Sequence, residues 1–488
     1  MTTTDRHITQ QASEGSGPFI NLHSWAILML LCVAQFVNVF NNQSVQLTVP
    51  VLAQAFRFST EGLQWVVNLN ILAFGGGLLV AGRLADRFGH RRIFLCGLLL
   101  CILSLLVGGL ALAQWMLLLA RTLQGMSTAL MVPAALALLT DSFPEGTYRN
   151  RALGIWGTAG QVGGITATLL GTLLVDHLGW PAVFFLNVPL VLVALLLTPR
   201  MLRHSPQPVE RGPVDLVGAA LVTCSLVLLM VGLTQLVHPA AHFLLLLVSF
   251  AGSLALFLLF CLLERHQRHP LVPMRVLRRP RLAASCLIQL VFATNATLFF
   301  FALYMQQVRG FSSFLTGLAF LPTNLTLIGG SLISARLIKR LGYKHSLLIS
   351  LSLMTLSAVL LSGMSLTGAY LWTLLPGLLV VGLGHGITVT AITAAGMEHI
   401  PLAERGLASS LLNMSYQVGS AIGLAVLVTL VNMRSPLLAG GAHGSSADLI
   451  AGFHWAFYAQ AAFEVLAILL TLLIMKKTSA RTHPLSSG

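Results

Sequence analysis

Long stretches of apolar residues, separated by short polar segments, run through most of the chain. About fourteen of these stretches contain at least 18 mostly apolar residues, close to the roughly 20 that a helix needs to cross a bilayer. The pattern therefore predicts fourteen transmembrane helices, spans 1 to 14. They cover residues 24–48, 62–81, 93–113, 115–140, 152–176, 181–199, 215–237, 241–263, 282–305, 313–335, 345–366, 368–393, 405–432 and 453–475.

Two segments rich in Pro and Arg, 200–214 and 264–281, divide the spans into groups of six, two and six. We predict an all-α polytopic membrane protein in which two six-helix pseudo-repeat bundles are joined by two linker helices. Repeated halves of this kind place a substrate site near the bilayer midplane, between the halves. The predicted parts are a tail (1–23), a bundle (24–199), a linker (200–281), a second bundle (282–475) and a second tail (476–488).

A charged motif that occurs twice supports the prediction of two pseudo-repeat bundles. The segment GRLADRFGHRR, from Gly82 to Arg92, lies between spans 2 and 3, and a weaker copy, ARLIKRLGYK from 335 to 344, lies between spans 10 and 11. Both copies have glycine at the eighth position, Gly89 and Gly342. Because glycine adopts backbone angles that other residues avoid, we expect a sharp turn at each.

Composition and charge agree with a membrane protein. Hydrophobic residues make up 56% of the chain, charged residues only 9%, and the mean hydropathy is +0.85, whereas soluble domains contain about 25% charged residues. The net charge of +14 does not indicate nucleic-acid binding, because the Lys and Arg residues concentrate in loops on one side of the predicted membrane. This is the positive-inside pattern, and it places both termini in the cytoplasm.

Enzyme motifs are missing from the sequence. We find no GxSxG, HExxH or Walker loop, and no cluster with metal-ligand spacing. The expectation is a protein that is not an enzyme and needs no cofactor, so that movement of a substrate would draw on a gradient or on the substrate itself.

Several further motifs carry a resemblance to a known family. They are GLQWVVN (62–68), RTLQG (121–125), RALGIWG (151–157), DHLGW with FFLNVP (176–189) and ERGLASSLLN (404–413). Together with the Gly82 loop, they resemble the major facilitator superfamily, and within it the fourteen-helix drug:proton antiporters of the EmrB/QacA-like group. The resemblance covers about residues 24 to 475.

This resemblance implies a secondary transporter in the bacterial cytoplasmic (inner) membrane, with spans 1, 4, 9 and 12 around its cavity. We expect it to export small amphipathic organic compounds, including drugs, by proton-coupled alternating access, and so to confer resistance. The small-molecule substrate and the lipid bilayer are expected partners, with a periplasmic adaptor protein as a further candidate. The alternative is a facilitator or importer of a polar metabolite without this coupling. It arises because Asn41 stands where relatives carry an acid, and Ala167-Thr168 where they carry Gly-Pro.

Polar residues within the spans are the candidates for the cavity and for coupling. Arg121 and Asn41 lie at similar depths in spans 4 and 1, counted at 1.5 Å per residue, and Arg121 would bias the site toward neutral or anionic substrates. The other interpretation is an arginine bonded to Gln124 that only holds the bundle. The full candidate set is Asn38, Asn41, Asn42, Arg121, Gln124, Gln289, Asn295 and His385.

Two titratable residues lie deep in spans. His385 in span 12 is a candidate for proton coupling because imidazole titrates near neutral pH, although a satisfied polar residue between two glycines is an equal alternative. Glu464 lies at the centre of span 14, a peripheral helix in relatives, and we expect a structural role for it.

The Gly82 loop is the candidate gate. In relatives an acid at this position pairs with a helix N-terminus or an arginine in one state and releases it in the other; the alternative is an ordinary solvated turn. The residues are Gly82, Asp86, Arg87, Gly89 and Arg91.

Overall fold

The structure is a computed structural model. It describes residues 22–58, 60–143, 147–202, 216–235, 243–266, 279–366, 368–398, 400, 405–434 and 446–475. Most of the two predicted tails and much of the linker, including 203–215 and 267–278, lie outside the described residues, as does the side chain of Asp86.

The described residues form helices and no strands. We number the α-helices α1 to α17. They are α1 Leu22–Phe56, α2 Thr60–Phe88, α3 His90–Gly109, α4 Gln114–Ser142, α5 Thr147–Thr166, α6 Thr172–Leu178, α7 Ala182–Phe185, α8 Asn187–Met201, α9 Leu216–Gln235, α10 Phe243–His266, α11 Pro280–Phe292, α12 Thr297–Leu303, α13 Ser313–Leu361, α14 Tyr370–Thr373, α15 Leu375–Met397, α16 Arg405–Arg434 and α17 Ser446–Ile474. Five-residue π-helical segments, Ala167–Gly171 and Tyr304–Val308, follow α5 and α12.

Eleven helical segments of the described chain are long and apolar enough to cross a membrane. One of them, α13, is counted once although Gly342 divides its 49 residues, and the apolar part of α9 is a shorter helix, Ala220–Leu233. An all-helical, multi-pass membrane protein is therefore established, while the number fourteen stays a prediction.

Glycine turns the chain in both copies of the charged motif, as expected. Gly89 has φ +92° and Gly342 has φ +76°, both in the region that favours glycine. The predicted turn from Gly82 to Arg92 is shorter than expected, because α2 continues to Phe88 and α3 begins at His90. With helix on both sides, Gly89 alone reverses the chain.

Each half has an apolar cluster of its own, and a third cluster joins residues of both halves. One cluster is built only from residues between Ile27 and Leu202, whereas another lies largely between Leu282 and Met475. Helix α9 lies against both halves. A Cβ built on Gly76 of α2 would lie 2.3 Å from Thr223 Oγ1 of α9, and Thr429 Oγ1 of α16 donates to the Leu233 carbonyl of α9.

Span 9 is not the continuous helix that its apolar sequence predicts. It ends as α11 at Phe292 and resumes as α12 at Thr297. Two polar side chains explain the interruption, since Thr294 Oγ1 donates to the Val291 carbonyl and Asn295 Oδ1 accepts the Thr297 N–H at 3.0 Å. Such local bonds compete with the helical ladder. The four-residue interruption, 293–296, is called the span 9 break below.

Candidate functional site

A cavity of about 280 Å³ lies between the two halves. The first half contributes α1 and α2, and the second contributes the span 9 break with α12, α13, α15 and α16. The polar lining residues carry amide, hydroxyl or imidazole groups, and the lining contains no Asp, Glu, Lys or Arg. The residues are Asn42, Gln43, Gln46, Val67, Ile71, Asn295, Ala296, Thr297, Leu298, Phe299, Phe320, Thr323, Asn324, Leu327, Val381, Gly382, His385, Tyr416, Gln417, Ser420 and Leu424.

Three predicted site residues, Asn42, Asn295 and His385, meet in this central cavity. A fourth, Gln289, lines a smaller adjoining pocket of about 200 Å³, which shares His385 and Tyr416 with the central cavity. Both spaces therefore border the same imidazole, and the predicted residues of α1, α11 and α15 form one polar region.

Arg121 lies behind the cavity wall rather than in it. The side chain is fully buried, and its Nε donates to the Val66 carbonyl at 2.8 Å. One terminal nitrogen donates to Gln124 Oε1, and the other lies 3.4 Å from Asn42 Oδ1. Because Asn42 lines the cavity, Arg121 reaches it through a single amide side chain.

The asparagine that meets Arg121 is Asn42, not its neighbour. Asn41 is also fully buried, but neither of its amide atoms has a hydrogen-bond partner among the described residues. Asn38 lies one turn away and accepts from Thr128 Oγ1 at 3.0 Å, which joins α1 to α4. The sequence estimate of equal depth thus puts Arg121 at the right level of α1, one residue away from its partner.

His385 lies against two aromatic rings where the two pockets meet. Its ring centroid is 5.1 Å from that of Phe292 and 6.3 Å from that of Tyr416, the latter edge-on. His385 and Tyr416 therefore border both the central cavity and the Gln289 pocket, and Phe292 packs on the imidazole ring.

Sequence reasoning missed the contributions of α13 and α16. Asn324 lines the cavity and donates to Thr168 Oγ1 at 2.9 Å, which links the two halves. On α16, the Cβ of Gln417 lies 3.2 Å from the position of a Cβ on Gly75. The available signal was the same one used elsewhere, an amide side chain inside an apolar span.

The halves also meet in a seam on the side of the predicted exterior loops. Asp176, in α6 of the first half, accepts the backbone N–H groups of Ser313 and Phe314 at 3.1 and 2.9 Å, in the first turn of α13. Nearby, Gln306 Nε2 donates to the Leu47 carbonyl at 2.9 Å. These bonds hold the two halves together at the predicted exterior end.

Close backbone packing continues the seam toward the centre. A Cβ built on Gly317 of α13 would lie only 2.0 Å from the Thr168 carbonyl oxygen of the π-helical segment. Only glycine therefore fits this contact as it stands.

A hydrogen bond joins the predicted gating loop to α8. Arg91 Nη2 donates to the Pro199 carbonyl at 2.8 Å, at the end of α8. The Arg87 guanidinium lies 5.4 Å from the centroid of its neighbour Phe88, and both side chains are exposed. Gly82 borders open space, and the role of Asp86 stays a prediction.

Comparison with known proteins gives consistent results. The family model described as Major Facilitator Superfamily matches residues 31–424. The chain is 34% identical to the cephamycin export protein of Amycolatopsis lactamdurans, covering 91% of each chain. It is 32% identical to the puromycin resistance protein of Streptomyces alboniger, over 96% of this chain and 93% of that protein.

A solved structure shows the same fold at low sequence identity. It is a bacterial homolog of the human lysosomal transporter Spinster in an inward-facing, unoccupied conformation. The TM-score is 0.67 at 15% identity, over 94% of this chain and 98% of that one. With its family match, its relatives and a cavity shared by two helical halves, the chain belongs to the major facilitator superfamily and is a transporter rather than an enzyme.

Proposed function

We propose that the protein exports small amphipathic organic compounds, such as antibiotics, across the bacterial cytoplasmic membrane by alternating access. The observation that carries this proposal is the central cavity, because residues of both halves line it and a relative motion of the halves would change which side it opens to. Relatives named for cephamycin export and for puromycin resistance support the substrate class.

We assign the full architecture as fourteen spans in a six-two-six arrangement with both termini cytoplasmic. The division of α13 at Gly342 and the position of α9 against both halves support it. Reporter fusions at each end of the chain test it: a reporter active only outside the cytoplasm should stay silent at both ends, and activity at either end contradicts the assignment.

The cavity chemistry favours neutral or anionic substrates over lipophilic cations. Its lining has no acidic side chain to pair with a cation, and the guanidinium of Arg121 lies directly behind Asn42. Amide and hydroxyl groups would orient a polar portion, while Phe299 and Phe320 would pack against an apolar one.

We further propose a proton gradient as the energy source, as the family resemblance implies. From the family resemblance, we keep the Gly82 loop as the proposed gate and a periplasmic adaptor protein as a proposed partner.

A drug panel tests the proposed function. A strain deprived of its main efflux pumps and expressing the protein should resist a carboxylate-bearing cephamycin and puromycin, with little protection against ethidium, a permanent cation. Greater sensitivity to these compounds would indicate import. An unchanged response to the whole panel would contradict export of this substrate class.

Substrate protection tests the site. In a variant without native cysteines, Gln46→Cys in the cavity should react with a maleimide, and a panel compound that confers resistance should slow that reaction. Thr158→Cys is the matched control, because it is exposed and lines neither pocket. Binding in the central cavity is contradicted if the compound slows the reaction equally at both positions, or if it slows the reaction at neither position.

A further inference from the structure

Glu464 is an acidic side chain in the middle of a membrane helix. Its side chain is fully buried, and neither carboxyl oxygen has a hydrogen-bond partner among the described residues. At 1.5 Å per residue it lies about 15 Å from the Ile474 end of α17. No part of the function proposed above uses this group.

The neighbours of Glu464 on α17 show what it faces. Gln460, four residues earlier, and Ala467, three residues later, lie on the same fully buried helix face. Gln460 Nε2 donates to Thr297 Oγ1 at 3.3 Å, whereas Ala467 belongs to the apolar cluster that contains Phe292. Helix α11, which ends at Phe292, also packs against α17. Because Glu464 lies one turn beyond Gln460 on this buried face, it lies beside the span 9 break, which separates α11 from Thr297.

The same break borders the substrate cavity on its other side. Asn295 and Thr297 line the cavity, and the Asn295 amide nitrogen is buried without a hydrogen-bond partner in the described part of the chain. Helix α16 presses on the break, since a Cβ built on Gly423 would lie 2.2 Å from the Thr294 Cα. A four-residue segment thus separates the carboxyl group from the substrate site.

The helices packed on α17 bring no cation to Glu464 in the described contacts. Lys344, on α13, donates instead to the Leu472 carbonyl, eight residues or about 12 Å farther along α17. An unpaired carboxylate in a low-dielectric interior is strongly unfavourable, so the group carries a proton in this conformation. The titratable and charged residues on the packed helices are Arg281 and Cys286 on α11, Arg336, Lys339, Arg340, Tyr343, Lys344 and His345 on α13, and Arg405, Tyr416 and Arg434 on α16.

The geometry points to Glu464 as the proton-binding group of this transporter, linked to the substrate through the span 9 break. This inference rests on the proposed proton-coupled export and replaces the structural role expected for Glu464. When protonated, the carboxyl group is neutral and is accommodated beside the break without a hydrogen bond to a described residue. Loss of the proton leaves a carboxylate that the break must rearrange to accommodate, which moves Asn295 and Thr297. By linkage, substrate binding and proton binding then change each other's affinity.

Infrared spectroscopy tests proton binding without any substrate. The full-length protein in lipid vesicles is titrated with pH while the C=O stretch of protonated carboxyl groups is recorded. Other Asp and Glu carboxyl groups titrate at about pH 4 and give a background common to all variants. We expect the wild type and His385→Gln to share one further titrating band that Glu464→Gln lacks. Glutamine preserves size and shape, so folding is retained. Identical titrating bands in the wild type and in Glu464→Gln overturn the inference.

Transport assays distinguish a loss of proton coupling from a loss of substrate movement. Puromycin is the probe, in vesicles containing the full-length protein. Glu464→Gln should lower accumulation driven by a pH gradient about tenfold, but change exchange of internal for external puromycin by less than about twofold. If the variant keeps the full pH-driven accumulation, the role of Glu464 is wrong and export stands. If the wild type moves no panel compound, the proposed function fails, and the infrared band still decides whether Glu464 binds a proton.

Discussion

Arg121 in the first half and Glu464 in the second half are both completely buried, but their surroundings differ. The guanidinium of Arg121 donates to the Val66 carbonyl and to the side chains of Gln124 and Asn42. The carboxyl group of Glu464 has no hydrogen bond to any described residue. Arg121 lies among continuous helices, whereas Glu464 lies beside the span 9 break.

The difference indicates that the two halves have different roles. The buried guanidinium of Arg121 is bonded to acceptors on its neighbours. It fixes their positions, because moving any of these acceptors leaves part of a buried charge without a partner. A carboxyl group without partners exchanges its proton with fewer bonds to break. The first half thus provides a fixed wall of the cavity, and the second half contains the part that responds to protons.

The largest expected effect is on stability. Arg121→Ala removes three hydrogen bonds and the packing of a fully buried side chain, and should lower the free energy of unfolding by about 2–5 kcal/mol, as other truncations of large buried side chains do. Glu464→Gln removes no hydrogen bond seen here and should leave stability nearly unchanged. Thermal unfolding of the purified variants in detergent measures both, with the exposed Arg200→Ala as control. Equal losses of unfolding free energy in Arg121→Ala and Glu464→Gln would contradict the difference drawn between the two sites.

A second prediction concerns the seam along which the halves move. Gly317→Ala places a methyl group against the Thr168 carbonyl, and overpacking of this kind costs about 1–3 kcal/mol. It should push the halves apart at the predicted exterior end. Spin labels at His177→Cys and Leu366→Cys measure the change, and the population at longer distance should rise.

Gly329→Ala is the matched control for the seam, since it lies on the same helix with open space around it. An identical distance distribution for Gly317→Ala and Gly329→Ala would show that the seam does not depend on close packing at Gly317.

The third prediction changes the partner of Arg121. Asn42→Asp supplies a carboxylate where the guanidinium already approaches, and it adds negative charge to the cavity wall. The ratio of ethidium to cephamycin transport should rise about fivefold, equivalent to about 1 kcal/mol. Asn41→Asp is the control, because Asn41 lies outside the cavity lining. A larger change in the transport ratio for Asn41→Asp than for Asn42→Asp would mean that Asn41 is the asparagine that faces Arg121.

The smallest expected effect is at the outer contact between the halves. Asp176→Asn removes a negative charge from the N-terminus of α13, an interaction worth about 0.3–1 kcal/mol. The same spin-label pair should show a modest shift toward longer distances. Asp141→Asn, an exposed carboxylate at the other end of the first half, should show none. A shift in both variants would mean that the effect is not local to the seam.

The apolar pattern predicted where the helices lie, because a membrane helix is defined by a long local stretch of sequence. The turns at Gly89 and Gly342 were predictable for the same reason, since the duplicated motif is local. Depth counting placed Arg121 opposite the right turn of α1 but did not distinguish Asn41 from Asn42, because rotation about the helix axis depends on packing.

The span 9 break and the isolation of Glu464 were beyond sequence reasoning. Thr294 and Asn295 are ordinary polar residues in an apolar stretch, and they interrupt the helix only because α16 and the cavity surround them. Whether Glu464 has a partner depends on three helices distant in sequence. Burial without a partner is a tertiary property, which a lone acid in the sequence of span 14 does not reveal.

The most direct test of proton-coupled export is to record drug and proton movement in the same vesicles. Wild-type protein is reconstituted without any pH or voltage gradient, and a puromycin gradient is imposed. Antiport predicts that protons move against the direction of puromycin, that a protonophore abolishes the resulting pH difference, and that protein-free vesicles show neither flux. Puromycin flux through the protein without any proton movement would contradict the account.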